Sequence, residues 1–252
     1  MRTQVTSIAL ALSLALSLAV QAAETGPVVQ AFACNYNEGK GQADLRAALD
    51  FFNEQVDAMS VDEPSQTMAA VLTPYRGNPG SDFFFIAGSP NLNAMAQAGY
   101  RFATTEEGQA AQARMESVAD CSSSVVGSEQ LMDAMPEPEE GDVNGLVEGY
   151  TCTLNPGTTM ADVHKAEAAW VEAAKGIGAE IDVYRWTPMF ANTPNDMVYL
   201  VVNDGLREWG AFRTNFNTSE ATAAADQTFQ EITNCESGLM IGTMVRQPPA
   251  PE

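Results

Sequence analysis

The residues best suited to holding a ligand stand together in the second half of the chain, in the segment Tyr184-Arg185-Trp186. Successive side chains of a β-strand point to opposite faces of the sheet, so Tyr184 and Trp186 share one face and Arg185 takes the other. Tyr199 falls on the next predicted strand. An arginine beside aromatic rings could orient an anionic ligand through paired hydrogen bonds. These four residues are the candidate ligand-binding set. The alternative is that the rings fill a core and the arginine faces solvent.

The sequence contains few residues that could support other kinds of catalysis. His164 is the one histidine, so a histidine-based triad has a single candidate base and a zinc site of ordinary ligands lacks partners. The sequence contains no Gly-x-Ser-x-Gly elbow, no His-Glu-x-x-His and no phosphate-binding P-loop. We therefore predict no catalytic residue, no metal site and no cofactor.

The charge of the chain excludes some classes of partner. The chain carries 33 acidic and 12 basic residues, a net charge of −21. A field of this sign repels nucleic acid and anionic lipid, so neither is expected as a partner. Acidic surfaces are also common in exported proteins, so the charge by itself identifies no partner.

The first residues predict export. Met1-Arg2 is followed by an apolar run over 8–20 and by the small residues Ala22 and Ala23. This is the pattern of a secretory signal peptide, with cleavage expected after Ala22. The run is too short for a membrane span, and no later segment is long enough for one. We expect a periplasmic or secreted protein, in which the four cysteines form disulfides.

The sequence contains the same pattern twice. Residues 28–131 match residues 146–244 in order. The difference in residue number between matched positions is constant at the start of each copy and becomes slightly smaller beyond the loop near Ser60. Both cysteines of each copy match, together with other residues: Cys34 with Cys152, Asn37 with Asn155, Asp82 with Asp196, Phe102 with Phe216 and Cys121 with Cys235. We interpret the pattern as a tandem duplication.

Each copy has the same predicted order of elements, β-α-β-β-α-β, which is the split βαβ arrangement. Apolar periodicity and turn residues indicate the elements. We predict strands at 28–34, 67–75 and 82–88 with a helix at 42–59, and strands at 146–152, 180–188 and 197–203 with a helix at 160–175. A short helical piece, a longer helix that begins at Thr104–Glu107 or Thr218–Glu220, where threonine is followed by acidic residues, and a final strand complete each copy.

This order of elements predicts which cysteines pair. In a sheet with strand order 4-1-3-2, the first and last strands are adjacent and antiparallel. Cys34 ends the first strand and Cys121 begins the last, so the two should lie opposite each other. Cys152 and Cys235 stand likewise in the second copy. We predict the disulfides Cys34–Cys121 and Cys152–Cys235.

Composition divides the chain into five segments. They are a signal peptide over 1–22, a first repeat over 23–135, an acidic, proline-rich linker over 136–145, a second repeat over 146–247 and a tail over 248–252. The carboxylates of the linker could bind calcium, but their spacing is not that of an EF-hand, so we interpret the linker as a solvated connection.

Two such units in one chain resemble the dimeric α/β-barrel superfamily in its fused form, and the resemblance is one of topology. It implies an α+β fold in which two tandem βαββαβ ferredoxin-like repeats form an intramolecular pseudo-dimeric α/β barrel, in a monomer with an internal pseudo-two-fold axis. The superfamily includes cofactor-independent monooxygenases and haem enzymes related to chlorite dismutase. The fold alone does not select among these activities.

Three functional hypotheses follow. The leading one is an exported non-catalytic protein that binds an unknown small molecule or a protein partner, because no acid–base or nucleophile constellation is present. The first alternative is a cofactor-independent monooxygenase-like enzyme that acts on an aromatic substrate in the barrel cavity. The second is haem or metal binding through His164, since the haem members of the superfamily use a proximal histidine. His164 lies beside the apolar stripe of its predicted helix, which favours a place on the helix surface.

Overall fold

The computed structural model describes residues 26–59, 68–77, 80–136, 144–191 and 193–247. The predicted signal peptide, the predicted tail and most of the predicted linker therefore lie outside the described residues. Within the described part, no helix combines the length and apolar character needed to cross a membrane.

The described residues form eight strands and six helices in the order that the two copies predict. The bounds are β1 Val28–Tyr36, α1 Gln42–Ala58, β2 Met68–Arg76, β3 Phe83–Ser89, α2 Leu92–Thr104, α3 Glu106–Glu116, β4 Ala119–Asp133, β5 Asn144–Leu154, α4 Met160–Gly176, β6 Asp182–Phe190, β7 Met197–Asn203, α5 Leu206–Thr218, α6 Glu220–Ile232 and β8 Thr233–Arg246. The helical piece before the last helix of each half, predicted to be short, is a full helix of 13 residues, α2 or α5. Thr105 and Ser219 end these helices and also cap the next ones.

The strands close into one antiparallel barrel with the order β1-β3-β2-β8-β5-β7-β6-β4. Within each half this is the predicted order, 4-1-3-2. The halves join at two seams, where β2 pairs with β8 and β4 pairs with β6. The fold is therefore mixed α+β, an eight-stranded antiparallel barrel with helices on its outer side.

Residues on both faces of the barrel strands are buried, by different partners, and β4 and β8 each carry an exposed run as well, at 120–123 and 234–237. The inner face carries an apolar core drawn from both halves: Val29, Ala70, Leu72, Ile86, Val126, Val147, Trp186, Leu200 and Met240. The outer face packs against the helices, with α1 over the first half and α4 over the second. A ligand site must therefore lie either inside the barrel or between the sheet and a helix layer.

The cysteines pair as predicted. Cys34 faces Cys121 across β1 and β4, and Cys152 faces Cys235 across β5 and β8. Both pairs are disulfide-bonded. They join the first and last strands of each half, which are far apart in sequence.

Several residues that recur in both halves have a structural role. The Asp82 carboxylate accepts a hydrogen bond from the backbone N–H of Tyr36 at 2.8 Å, and Asp196 accepts one from Leu154 at 2.7 Å. The side-chain amides of Asn37 and Asn155 each donate to a carbonyl at the end of the last helix of their half, at 2.9 and 3.0 Å. The repeated residues thus secure the loops that enter α1 and α4.

Candidate functional site: a cavity between the sheet and the helices of the second half

The four sequence-predicted ligand residues divide between the two faces of the sheet. Tyr184 and Trp186 lie on the inner face and belong to the apolar barrel core. Burial, with Asp182 and Asp133 nearby, raises the pKa of Tyr184 to about 12. The described residues of the inner face pack into an apolar core, and the cavity described next lies on the other face of the sheet. Arg185 and Tyr199 lie on the outer face.

A cavity of about 490 Å³ lies on that outer face, between the sheet of the second half and helices α4, α5 and α6. Its volume falls in the range of small-molecule sites. Apolar and aromatic side chains form much of its wall: Leu131, Tyr150, Trp170, Val171, Val183, Tyr199, Val201 and Phe229. The polar lining residues Gln230, Asn234 and Ser237 are exposed, which places the mouth of the cavity beside α6 and β8.

A row of outward-facing residues, one on each of five neighbouring strands, leads into the cavity, and its last three members line the cavity wall. We call this set the tyrosine row. In spatial order it contains Glu129 on β4, Arg185 on β6, Tyr199 on β7, Tyr150 on β5 and Ser237 on β8. Each residue is the direct cross-strand neighbour of the next, so their side chains are within reach of one another.

Helix α4 contributes a buried carboxylate, Glu167, above this row. Arg185 donates from Nη1 to both Glu167 oxygens, at 2.8 and 2.6 Å, and contacts Glu129 through Nη2. The Tyr199 hydroxyl donates to Glu167 Oε1 at 2.8 Å. Glu167 and Arg185 are only 5% and 6% exposed. A buried charge pair of this kind is tolerated when the charges are matched and hydrogen-bonded, and here one donor, Arg185 Nε, is left buried without a partner among the described residues.

A second carboxylate, Glu148 on β5, is buried two residues before Tyr150, which lines the cavity. The Trp209 indole N–H donates to it at 3.0 Å, and Arg213 Nε lies 3.8 Å from the same oxygen. Arg213 also lines the cavity, as does Asp226. The cavity is thus flanked by two buried glutamates, and each has a nearby arginine.

Both tyrosines of the row are held in the neutral form. Burial raises the pKa of Tyr199 far above its ordinary value, and the adjacent Glu167 carboxylate raises it further. Burial and the Glu148 carboxylate raise the pKa of Tyr150 in the same way. Neither phenol can therefore serve as a base near neutral pH, and each remains a hydrogen-bonding hydroxyl.

These shifts predict a loss of stability in alkali. The unfolded chain ionises Tyr199 near pH 10, whereas the folded chain keeps its proton, so the free energy of unfolding falls as the pH rises above about 10. One such tyrosine contributes about 1.4 kcal/mol per pH unit. Urea unfolding between pH 9 and 11 should show a shallower decline for Tyr199→Phe than for the wild type. Tyr100→Phe, at an exposed position, is the control, and equal slopes for Tyr199→Phe and the wild type would contradict the expectation.

The first half has the same architecture without the polar groups. Its corresponding row contains Thr243, Val71, Phe85, Phe32 and Ser123. Val71 pairs with Phe85 as Arg185 pairs with Tyr199. Leu49 occupies the position in α1 that Glu167 occupies in α4.

Aromatic rings fill this part of the first half. Phe32 and Phe52 pack on Phe85 with ring centroids 5.9 and 5.6 Å away, and Phe52 stacks on Phe102 at 5.6 Å. A glutamate, an arginine and two tyrosines therefore stand in the second half where the first half has an apolar core.

Glu167 was not among the sequence-predicted site residues. Its neighbours on the buried side of α4 are Val163, Ala166 and Val171, so it interrupts an apolar stripe. A glutamate on a helix usually faces solvent, which explains why the pattern alone did not identify it. Its apolar counterpart in the first copy, Leu49, is the signal that could have found it.

His164 is exposed on α4 and does not line the cavity. The neighbouring residue that points to the sheet is Val163, which is fully buried. A haem ligated through His164 therefore does not fit the cavity. Among the described residues, no group of three or more His, Cys, Asp or Glu side chains is arranged to hold a metal ion.

The chain matches no protein-family model, and no curated protein matches its sequence. Solved structures share its fold at low sequence identity. A candidate monooxygenase from Fusobacterium nucleatum has a TM-score of 0.59 and 13% identity, over 89% of this chain and 95% of that protein. An anthrone oxidase-like protein has a TM-score of 0.53 and 13% identity, over 92% and 98%. A candidate chlorite dismutase has a TM-score of 0.54 and 16% identity, over 88% and 96%.

These neighbours agree with the resemblance to the dimeric α/β barrels and correct the leading functional hypothesis. The sequence favoured an exported non-catalytic protein. That hypothesis is wrong, because the proteins that share the fold are described as a candidate monooxygenase, an anthrone oxidase-like protein and a candidate chlorite dismutase. The prediction rested on the absence of a recognisable catalytic motif, and that absence misled it.

Proposed function

We propose that the protein is a monooxygenase-like enzyme that needs no cofactor and oxidises an aromatic small molecule in the cavity of the second half. One observation carries the proposal: the polar groups around the cavity stand at positions that are apolar in the first half. Burying charges costs free energy, and a structural scaffold does not require it. Buried charges at these positions in the second half, and not in the first, therefore indicate a function. The fold shared with a candidate monooxygenase and an anthrone oxidase-like protein supports the class of reaction.

The proposed roles follow from the positions of the side chains. Glu167 is the buried carboxylate of the cavity and accepts the first proton from the substrate. Arg185 is a positioning residue that holds Glu167, and Tyr199 contacts the ligand through its hydroxyl. Of the remaining sequence-predicted residues, Tyr184 and Trp186 support the sheet from the barrel core.

Anthrone is the probe for this activity because one fold neighbour is described as anthrone oxidase-like. Loss of a proton leaves a carbanion, which gives its electrons to O2. The methylene carbon loses two hydrogens and gains a doubly bonded oxygen. One O2 supplies that oxygen and the oxygen of one water, and the water carries both hydrogens away, so the step balances without another oxidant.

The test is oxygen uptake by the purified mature protein in buffer containing anthrone, with the product followed by absorbance. We expect turnover above the rate in buffer alone, and a loss of about 100-fold or more in Glu167→Gln, the usual contribution of a general base. Glu172→Gln is the matched control, since Glu172 lies on the same helix with its side chain 79% exposed. Wild-type uptake no faster than buffer, or full activity in Glu167→Gln, would reject the proposal.

We also propose the origin and location of the protein. In this proposal, the barrel arose by duplication of a ferredoxin-like repeat, with copies at 23–135 and 146–247 joined by the linker 136–145. The chain is then a monomer with an internal pseudo-two-fold axis. We propose export to the periplasm or the medium after loss of residues 1–22, and the two disulfides support an oxidising location. Mass spectrometry of the secreted protein would give the cleavage site, and an uncleaved N-terminus would contradict export by this route.

A further inference from the structure

We infer that the buried end of the cavity selects ligands that present a neutral hydroxyl, and rejects ligands that present a carboxylate there. The inference deepens the proposed function, since it names the chemical class that the same site receives. It rests on the direction of each hydrogen bond around Glu167.

The proton of Tyr199 is already committed. Its hydroxyl donates to Glu167 Oε1 at 2.8 Å, and a phenol has one proton to give. The Tyr199 oxygen can therefore only accept a hydrogen bond from a ligand.

Glu167 is also an acceptor towards the cavity. Its Oε1 receives Tyr199 and Arg185, whereas Oε2 receives, among the described residues, only Arg185, at 2.6 Å. Each carboxylate oxygen accepts about two hydrogen bonds, so Oε2 can take one more. Glu167 lines the cavity, which makes that remaining site available to a ligand.

Arg185, the donor beside Glu167, does not line the cavity. Its terminal nitrogens are bound to carboxylates, Nη1 to Glu167 and Nη2 to Glu129, and its Nε is buried without a hydrogen-bond partner among the described residues. The arginine that lines the cavity, Arg213, is half-buried, and its Nε lies 3.8 Å from Glu148. A ligand carboxylate at the buried end would meet two acceptors, Glu167 Oε2 and the Tyr199 oxygen, so its charge would be repelled and its lone pairs left without donors.

A matched pair of probes tests the inference by binding alone: 1-naphthol, which is neutral at pH 7, and 1-naphthoate, which is ionised. Trp170 lines the cavity, so quenching of its fluorescence, checked by calorimetry, reports binding. We expect the wild type to bind naphthol at least tenfold more tightly than naphthoate, because the Glu167 carboxylate accepts a hydrogen bond from the neutral hydroxyl and repels the charge of naphthoate.

Glu167→Gln is expected to abolish or reverse this preference, since the amide nitrogen offers a donor where the carboxylate offered an acceptor. Tyr199→Phe keeps Glu167 and should keep the preference. Phe85 at the equivalent place of the first half indicates that a phenylalanine packs there. Glu172→Gln is the control, with unchanged affinities for both probes. Circular dichroism reports whether each variant is folded.

Equal affinities of the wild type for the two probes, or binding of neither, would overturn the inference, and so would a naphthol preference that survives in folded Glu167→Gln. These outcomes are separate from the oxygen-uptake test. A protein that selects naphthol without consuming O2 would retain this inference and lose the proposed enzyme activity, and a protein that oxidises anthrone without selecting naphthol would do the opposite.

Discussion

The triple variant Glu167→Leu, Arg185→Met, Tyr199→Phe is expected to be as stable as the wild type, or more stable by about 1–4 kcal/mol, and to bind no naphthol. A buried ion pair gains Coulomb energy but loses the solvation of both charges, and apolar residues of similar volume often replace it at no cost. The first half provides the precedent, since Leu49 and Phe85 stand at two of the three places in a packed core. Methionine is chosen at position 185 because a valine, the residue at the corresponding position 71 of the first half, would leave a larger void.

The single variant Arg185→Met should behave in the opposite way and lose about 3–5 kcal/mol, because it leaves the Glu167 carboxylate buried without its partner. Arg207→Met is the control. Arg207 is a surface arginine whose ion pair with Glu208 lies in solvent, so its loss should change stability by less than about 0.5 kcal/mol.

Urea unfolding of the four proteins measures these differences. If Arg185→Met is as stable as the wild type, Glu167 is not a buried charge, and the proposal that it acts as the base fails. If the triple variant is less stable than the single one, the polar groups stabilise the fold and need no functional explanation.

The repeat in the sequence was sufficient to predict the topology, because topology is what the two halves share. The order of the strands within each half and the two disulfides both follow from residues that recur, such as Cys34 and Cys152. Asp82 and Asp196 recur because each supports the same backbone N–H in its own half. A residue that is repeated for structural reasons carries no information about the site.

The site was harder to predict because it consists of the positions where the halves differ. Alternation correctly separated Arg185 from its aromatic neighbours, but could not say which face of the strand the ligand would use. Residues on both faces of this barrel are buried, some in the core and others under helices, so burial patterns do not distinguish the faces. The cavity itself arises from how side chains of α4, α5 and α6 pack on the sheet, which no periodicity encodes.

Removal of the Cys152–Cys235 disulfide should cost about 4.5 kcal/mol and also weaken ligand binding. The two cysteines are 83 residues apart, and a cross-link that closes a loop of this length removes about that much entropy from the unfolded chain. Both cysteines line the cavity, so their loss also frees β8 next to the mouth. Cys152→Ala/Cys235→Ala should therefore unfold at lower urea concentration and bind naphthol more weakly while still folded.

The first half offers the matched comparison. Cys34 and Cys121 are separated by 87 residues, so Cys34→Ala/Cys121→Ala should lose nearly the same free energy of unfolding. Because this bridge lies in the half without the polar groups, its loss should leave the naphthol affinity of the folded protein unchanged. Equal losses of stability with unequal losses of affinity would separate the structural role of the disulfides from the position of the site. If both variants lost affinity equally, binding would depend on the barrel as a whole, and the cavity of the second half could not by itself be the ligand site.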